Sequence, residues 1–208
     1  DDRIDGFVAA YKAVAKAGVK LCYGVKLTVC ATHTDKAVES RRTESKLAVF
    51  ARNTQGYHDL IKLYNRGWTD GHFTFRDTSY GRIDWGLLRS FWTENLLLAV
   101  PFFSGFLARN TLTFNQIVPQ LPTTPILFKE VASGLPFAPL IEGAVDKYAA
   151  AFGAEVVQTK SIYYRDRASF KAYQVYRAIH AKGSYEAPEV DHLHSDAFCL
   201  ESYREVSC

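Results

Sequence analysis

The chain has 208 residues, of which 48% are apolar and 23% are charged. This balance is typical of one folded globular domain and excludes an intrinsically disordered chain. The formal net charge is only +3 and no long run of lysine or arginine occurs, so composition does not indicate an autonomous nucleic-acid-binding protein.

The longest apolar run, residues 96–103, is far too short to span a bilayer. The chain starts with Asp1-Asp2-Arg3, which is not a signal peptide, and it contains no methionine. We therefore expect a fragment, or a processed or altered sequence. The cysteines are Cys22, Cys30, Cys199 and Cys208. None forms a C-x-x-C pair, so the spacing of a zinc site is absent and reduced thiols in a cytoplasmic protein are expected.

The first third of the chain predicts a helix followed by two strands. Residues 6–17 have apolar side chains at spacings of three and four, which predicts an amphipathic helix that Gly18 ends. Residues 19–29 are largely apolar and β-branched, as in a strand buried on both faces. Residues 32–45 are polar and predict an exposed loop, and residues 46–52 predict a second strand.

The middle of the chain predicts two helices and a strand. Residues 53–56 cap a helix that runs to about Gly67. Residues 69–80 are polar and aromatic without a period, so a loop is expected there. Residues 86–93 predict a short helix, and residues 95–101 predict a third buried strand.

The last part of the chain predicts two more strands and two more helices. Residues 111–124 contain two prolines and fit no regular element. Residues 126–131 and 155–159 predict strands, whereas residues 140–152 and 168–181 predict helices, each followed by a terminating glycine. The remaining residues are expected to form a polar tail. Strands that alternate with helices in this way indicate a mainly parallel sheet or barrel, whose active site would lie at the carboxyl ends of the strands.

Three segments resemble one family. Residues 6–24, GFVAAYKAVAKAGVKLCYG, are similar to the family pattern F-Y-K-A-A-K-K-A-G-I-K-P-I-I-G-C-E. Residues 47–63, LAVFARNTQGYHDLIKL, are similar to L-x-L-L-A-K-N-x-x-G-Y-x-N-L-x-K-L. Residues 156–206 contain Ser-Ile-Tyr-Tyr and a later His-Ser-Asp-Ala-Phe, which resemble N-D-V-H-Y and H-S-D-x-F. The chain thus resembles the PHP (polymerase and histidinol phosphatase) domain of bacterial DNA polymerase III alpha subunits.

This resemblance implies a fold and a domain organisation. The expected fold class is α/β, a PHP-type (β/α)7-like distorted barrel with mainly parallel strands. Residues 1–190 would form the PHP-like domain, and residues 191–208 would form an exit segment towards a following domain. The family's opening H-x-H strand has no counterpart here, so the domain is expected to be truncated at its N-terminus.

The resemblance also implies that the family's metal site is degenerate. Active members hold divalent ions with His, Asp, Glu and Cys side chains at the strand ends, where the ions activate water and neutralise phosphate. The aligned positions in this chain are Asp1, Lys26, Lys46, Phe103, Ser133, Ser161 and Tyr163. Lysine stands in place of Glu and His, phenylalanine in place of Cys, and serine and tyrosine in place of the D-x-H pair. No catalytic residue, no metal and no cofactor is therefore expected.

The two lysines motivate a hypothesis about charge. Two like charges about 4 Å apart repel by roughly 4 kcal/mol at an effective dielectric of 20, and a protonated ammonium cannot bind a metal ion. We expect Lys26 and Lys46 to take over the positive charge of the lost ions and to pair with Asp1 or Asp2. The alternative is an intact site for Mn, Zn or Mg built from other side chains, such as the His192-Leu-His-Ser-Asp196 segment.

Two clusters are candidates for nucleic-acid contact. Arg41 and Arg42 form a basic pair in a predicted loop. Tyr164, Arg165 and Arg167 combine aromatic and basic side chains near the start of a predicted helix. A solvated loop and a solvated strand-to-helix turn are the alternative interpretations of these clusters.

The resemblance implies a role in DNA replication. The parent protein would be a DNA-directed DNA polymerase, and this domain would be an inactive structural or docking module in the cytoplasm. Its partners would be the polymerase core of the same protein, a proofreading exonuclease subunit or another replisome protein, and DNA through the parent, but no membrane. One alternative is a metal-dependent phosphoesterase or 3′–5′ proofreading exonuclease. Another is a free-standing phage or plasmid remnant that binds replisome partners.

Overall fold

The computed structural model describes residues 4–75, 78–113, 115–180 and 195–207. The described helices are α1 (Phe7–Ala17), α2 (Thr54–Thr69), α3 (Trp85–Ser90), α4 (Phe106–Leu112), α5 (Ala138–Phe152), α6 (Phe170–His180) and α7 (Leu200–Ser207). The described strands are β1 (Gly24–Cys30), β2 (Ser45–Ala51), β3 (Phe73–Phe75), β4 (Thr78–Tyr80), β5 (Arg82–Asp84), β6 (Leu96–Val100), β7 (Ile126–Glu130) and β8 (Val156–Thr159). Two 3-10 turns cover Val38–Thr43 and Arg167–Ser169.

The central sheet has six strands in the order β5-β1-β2-β6-β7-β8, and β3 pairs with β4 in a separate hairpin. The β1–β5, β6–β7 and β7–β8 pairings are parallel, whereas β2 runs antiparallel to both of its neighbours. The mostly parallel α/β sheet confirms that part of the predicted fold class. The outer strands β5 and β8 do not pair with each other in the described chain, so closure into a barrel remains a prediction.

One edge of this sheet collects the carboxyl ends of its parallel strands. Because β2 is antiparallel to β1 and β6, those two strands run in the same direction, and β5, β7 and β8 share it. This edge, here called the C-terminal edge, therefore carries the ends of five strands together with Ser45 at the start of β2. It is the edge at which sites of such sheets form.

The two faces of the sheet differ in how well they are covered. On one face, Val25, Val29 and Leu47 are buried and belong to the same core cluster as Leu60 and Leu63 of α2. The opposite face, here called the open face, carries half-buried apolar side chains. These side chains are Phe50, Leu97, Ile126, Phe128 and Val157. The alternation follows the two-residue period of strands.

The longer elements lie where the sequence predicts them. Gly18 and Gly153 end α1 and α5 with left-handed φ values of 65° and 62°, a conformation that glycine adopts without a steric penalty. The Asn53 side chain accepts a hydrogen bond of 2.8 Å from the backbone of Gly56, which confirms the predicted cap of α2. The predicted strands at 46–52, 95–101, 126–131 and 155–159 are confirmed to within two residues.

Several predicted elements need correction. The first strand is shorter than residues 19–29, because β1 begins at Gly24, and it is not buried on both faces, because Lys26 is exposed. Residues 69–80 are not a loop throughout, since they contain β3 and β4. The helix α4 and the strand β5 were not predicted. A strand of three residues is too short to show a hydrophobic period.

The end of the described chain is not only a polar tail. Phe198 and Cys199 are fully buried, and Cys199 forms a parallel bridge with Tyr164. The backbone amide of Tyr163 donates to the carbonyl of Phe198 at 2.9 Å, and α7 follows. The segment thus packs against the turn after β8. The division into residues 1–190 and 191–208 remains a prediction, and Gly183, the expected end of the last long helix, lies outside the described residues.

Candidate functional site

A cavity of about 280 Å³ lies on the open face of the sheet, over Phe50 and Phe128, and extends to the C-terminal edge. Lys26 of β1, Phe103 after β6, and Ser161 and Tyr163 after β8 all line it. These are four of the positions at which the resemblance places the degenerate metal site. The structure thus brings side chains that are far apart in the sequence to one place. Phe103, Ser161 and Tyr163 follow the carboxyl ends of β6 and β8, whereas Lys26 lies near the start of β1.

A buried carboxylate that sequence reasoning missed also lines this cavity. Glu130, the last residue of β7, is 4% exposed. It accepts hydrogen bonds from the backbone amide of Ser161 at 2.7 Å and from its hydroxyl at 2.8 Å. Burial raises the pKa of Glu130 above its usual value, and Ser161 and Lys160 offset only part of this effect. An acidic residue that ends a buried parallel strand is the signal that could have identified it.

Lys160 closes the cavity beside Glu130. Its ammonium donates hydrogen bonds to the carbonyls of Val131 at 3.1 Å and Ala132 at 2.7 Å. Burial lowers the pKa of Lys160, while the nearby Glu130 carboxylate acts in the opposite direction. The lysine therefore fastens the end of β7 to the end of β8 and adds a positive charge to the cavity wall.

The two predicted lysines lie on the same face of the sheet. Lys26 pairs with Ala48 in the β1–β2 register, and Lys46 pairs with Thr28, so the two lysines are diagonal neighbours. The Lys46 ammonium donates to the Thr28 hydroxyl at 2.8 Å, whereas Lys26 is exposed. Asp1 and Asp2, their expected partners, lie outside the described residues, so the proposed charge pairing remains a prediction.

The other predicted positions differ in their surroundings. Ser133 is buried and does not line this cavity, and its carbonyl accepts from the Ser195 hydroxyl at 2.7 Å. Tyr163 stacks on Tyr173 with ring centroids 5.6 Å apart, and Phe103 lies 5.7 Å from the Phe198 ring. Phe103 and Tyr163 therefore give the cavity an aromatic wall, and Ser133 belongs to a neighbouring loop.

The donor chemistry of the cavity does not fit a divalent metal ion. Divalent ions need several carboxylate, imidazole or thiolate ligands, but the cavity offers Glu130, which is already hydrogen-bonded, and the ammonium groups of Lys26 and Lys160. Over residues 4–75, 78–113, 115–180 and 195–207, no group of three or more His, Cys, Asp and Glu side chains could hold a metal ion. His192 and His194 lie outside these ranges.

The candidate nucleic-acid contacts lie in two separate places. Arg41 and Arg42 belong to the 3-10 turn before β2, and the Arg41 guanidinium lies 3.7 Å from the centroid of the Phe75 ring. Arg167 forms an ion pair of 2.6 Å with Glu205 of α7. Tyr164 and the exposed Arg165 also lie near α7, because their carbonyls accept hydrogen bonds from the first backbone amides of that helix. The described structure therefore does not join the two clusters into one surface, and contact with nucleic acid remains a prediction.

A histidine–aspartate pair at the C-terminal edge was also missed. The Nδ1 atom of His33 lies 2.5 Å from Oδ2 of Asp84, and Oδ1 of Asp84 accepts from the amide of Leu87 at 2.8 Å. Burial alone would raise the pKa of Asp84, but the hydrogen bonds from Leu87 and His33 outweigh it and hold that pKa below its usual value. The pair fastens the loop after β1 to the start of α3.

A model of a known protein family matches most of the chain. The family described as PHP domain matches residues 2–157, which is more than half of the chain. No curated protein matches the chain. Among the helices of the described residues, none is long and apolar enough to cross a membrane.

Proposed function

Because the chain belongs to the PHP domain family, a family of phosphoesterase-like domains, we propose that it is the PHP domain of a DNA polymerase III alpha subunit that has lost its own chemistry. In this proposal the domain serves cytoplasmic DNA replication as a structural and docking module. The polymerase core of the same protein would perform the synthesis of DNA.

The observation that carries the non-catalytic role is the donor set of the C-terminal edge. Metal-assisted hydrolysis needs an ion that activates water and neutralises the phosphate. The cavity instead presents Lys26, Phe103, Ser161 and Tyr163. The only described carboxylate that lines it, Glu130, is held by both donors of Ser161. A domain with such a cavity would contribute a binding surface and a stable fold to the parent protein, and no hydrolysis of its own.

The open face supports the docking role. Its apolar side chains form the floor of a cavity of about 760 Å³. Lys20 and Arg52 lie at the rim, and no acidic residue is found among the described residues that line this cavity. A large apolar surface of this kind marks an interaction site, and its rim favours a negatively charged partner. The proposed occupant is an apolar segment with acidic flanks that belongs to the proofreading exonuclease subunit.

Calorimetric titration of this chain with the purified exonuclease subunit of the same organism tests the docking role. Phe128 lies in the middle of the open face, 6.3 Å from the Phe50 ring. Phe128→Asp should weaken binding by at least about tenfold, because a carboxylate would be buried against apolar side chains and would repel the acidic segment. The matched control is Phe152→Asp, at a phenylalanine that is 62% exposed on α5.

Three outcomes would contradict the docking proposal. The first is the absence of binding by the wild-type chain. The second is an equal loss of affinity in the two variants while circular dichroism shows that both are folded. The third is self-association of the wild-type chain in light scattering that Phe128→Asp abolishes, since this would identify a second copy as the occupant of the open face.

The family match itself favours one rival function, a metal-dependent phosphoesterase or 3′–5′ exonuclease. Ligands from residues outside the described ranges, such as His192 and His194, would be needed for it. Chelator-sensitive hydrolysis of a phosphodiester by the whole chain would favour this rival. A free-standing phage or plasmid remnant differs from the proposal only in its gene boundaries, so a stop codon directly after Cys208 would identify it.

A further inference from the structure

The cavity of about 760 Å³ on the open face, here called the open-face cavity, combines an apolar interior with a positive rim. Its interior is formed by Leu21, Phe50, Leu97, Ile126, Phe128 and Val157. Lys20 and Arg52 are the charged side chains among the described residues that line it, and both are cations. The volume lies in the range of small-molecule sites. A ligand that matches this cavity has an apolar body and one negatively charged group.

The positive rim lies at the edge of the sheet opposite the C-terminal edge. Arg52 directly follows β2, which runs antiparallel to β1, and Lys20 precedes the start of β1. The Nε atom of Arg52 donates to the carbonyl of Leu96 at 3.1 Å. This bond fixes the guanidinium at the rim, and its terminal nitrogens make no hydrogen bond to the described residues. They are therefore available to a carboxylate.

The start of α2 adds a second source of positive potential to the same rim. Asn53 and Thr54, the cap and the first residue of this 16-residue helix, both line the open-face cavity. The Asn53 side chain accepts from the amide of Gly56, but the amides of Thr54 and Gln55 have no acceptor within the helix. The amino end of a helix attracts anions through such amides and through the helix dipole. Together with Arg52, it favours a negative group at this rim.

Two phenylalanine rings separate the apolar interior from the polar cavity beside it. Phe50 and Phe128 line both cavities, and their ring centroids lie 6.3 Å apart. A Cβ atom at Gly24 would lie 2.3 Å from the Phe50 ring, so the glycine leaves room for this ring to lie across β1. The rings thus keep the interior away from Lys26 and Glu130, which line only the polar cavity.

We propose that the open-face cavity binds a long-chain carboxylic acid, with the alkyl chain in the apolar interior and the carboxylate at the positive rim. A planar carboxylate matches the two parallel N–H groups of the Arg52 guanidinium. Each methylene group of the chain that leaves water strengthens binding. The proposal goes beyond the docking role and does not depend on it. If both proposals hold, the acid and the docking segment compete for the cavity.

The test is a calorimetric titration of the whole chain with sodium laurate below its critical micelle concentration. We expect one saturable site. Butyrate, which has the same head and a short chain, should bind at least about a hundredfold more weakly because it buries fewer methylene groups. Dodecyltrimethylammonium, which has a similar chain and a positive head, should also bind more weakly than laurate. No saturable laurate binding, or equal affinity for the two long-chain amphiphiles, would overturn the proposal.

Arg52→Gln tests the positive rim. This variant should weaken laurate binding by about tenfold or more, since it removes a charge-assisted contact with the carboxylate. Arg66→Gln is the matched control, because Arg66 is exposed on α2 and pairs with Asp70. An equal loss of laurate affinity in the two variants would contradict the role of Arg52.

Val157→Trp tests the apolar interior by filling it. Val157 lines the open-face cavity, so a tryptophan there should weaken laurate binding by about tenfold or more. Val156→Trp is the control, because Val156 is 36% exposed and its side chain points to the other face of the same strand. Circular dichroism and the melting temperature establish that both variants are folded. A folded Val157→Trp variant that binds laurate as tightly as the wild type would overturn the proposal.

Two further features of the titration separate this proposal from other occupants of the open face. The exonuclease subunit is absent from the laurate titration, so a failure of the docking proposal leaves the expected result unchanged. Light scattering on the same samples reports the oligomeric state. A dimer that laurate does not dissociate, and that Val157→Trp abolishes, would overturn the proposal because a second copy would then cover the cavity.

Discussion

At the scale of single residues, Arg82 is the most deeply buried charge of the described chain, with an exposure of 0%. Its guanidinium donates to the Ser40 hydroxyl at 2.9 Å and to the Glu44 carboxylate at 3.2 Å. It also donates to the carbonyl of Asp35 and lies 3.7 Å from the centroid of the Phe73 ring. One side chain of a three-residue strand therefore holds the 3-10 turn and the loop before it against the sheet.

Arg82→Met should lower the free energy of unfolding by about 3 kcal/mol, because it removes the nearer of the two cations beside the partly buried carboxylate of Glu44. Urea denaturation measures the change. Arg66→Met, at an exposed i,i+4 pair with Asp70, should cost less than about 1 kcal/mol. Similar losses of unfolding free energy in Arg82→Met and Arg66→Met would contradict the role of Arg82 in holding the 3-10 turn and the preceding loop against the sheet.

The buried carboxyl of Glu130 is expected to make the stability of the folded chain depend on pH. Burial raises the pKa of Glu130 in the folded chain, so the native state holds this proton more tightly than the unfolded state. Its contribution to stability is then greatest below the unfolded pKa and is lost as the pH rises through the folded pKa. Glu130→Gln cannot titrate, so its unfolding free energy should improve relative to that of the wild type as the pH rises above the ordinary pKa of glutamate, about 4.3.

Thermal or urea unfolding at several pH values measures this difference between Glu130→Gln and the wild type. Glu155→Gln, at an exposed position before β8, is the control, and its stability should run parallel to that of the wild type. A constant difference between Glu130→Gln and the wild type over the same range would contradict the burial that we assign to this carboxyl.

At the scale of secondary-structure elements, the start of α2 shows how one residue fixes a helix. Asn53 caps the helix through Gly56, and its amide also donates to Asn95 at 2.9 Å. Asn53→Ala should therefore lower the free energy of unfolding by about 1 kcal/mol. The control Asn65→Ala, on the exposed side of the same helix, should leave stability unchanged or slightly higher because alanine is the better helix former. Equal changes of the unfolding free energy in Asn53→Ala and Asn65→Ala, measured by chemical denaturation, would contradict the capping role of Asn53.

Element length explains why some helices and strands could be predicted from the sequence and others could not. The helices α2 and α5 are long enough to show a 3.6-residue period and have a capping residue or a glycine at an end. The strands β3, β4 and β5 have three residues each, which is less than the length that reveals alternation. The direction of β2 was also not predictable, because an apolar run has the same pattern whether its strand is parallel or antiparallel.

At the scale of the whole molecule, the topology explains which parts of the site could be predicted. Lys26, Phe103 and Ser161 were predicted from the resemblance to the family's motifs, and the structure places them around one cavity. Glu130 ends the apolar strand β7, which is a signal in the sequence, but its contact with Ser161 depends on the pairing of β7 with β8.

The central proposal is that the cavity on the open face of this PHP domain carries the ammonium groups of Lys26 and Lys160 in place of bound metal ions. Metal analysis of the purified whole chain after dialysis against Mn²⁺ or Zn²⁺, with a phosphodiester hydrolysis assay on the same sample, tests it most directly. The account predicts less than stoichiometric metal, no turnover and the same melting temperature with and without EDTA. One or more tightly bound ions per chain, with hydrolysis that EDTA abolishes, would contradict it.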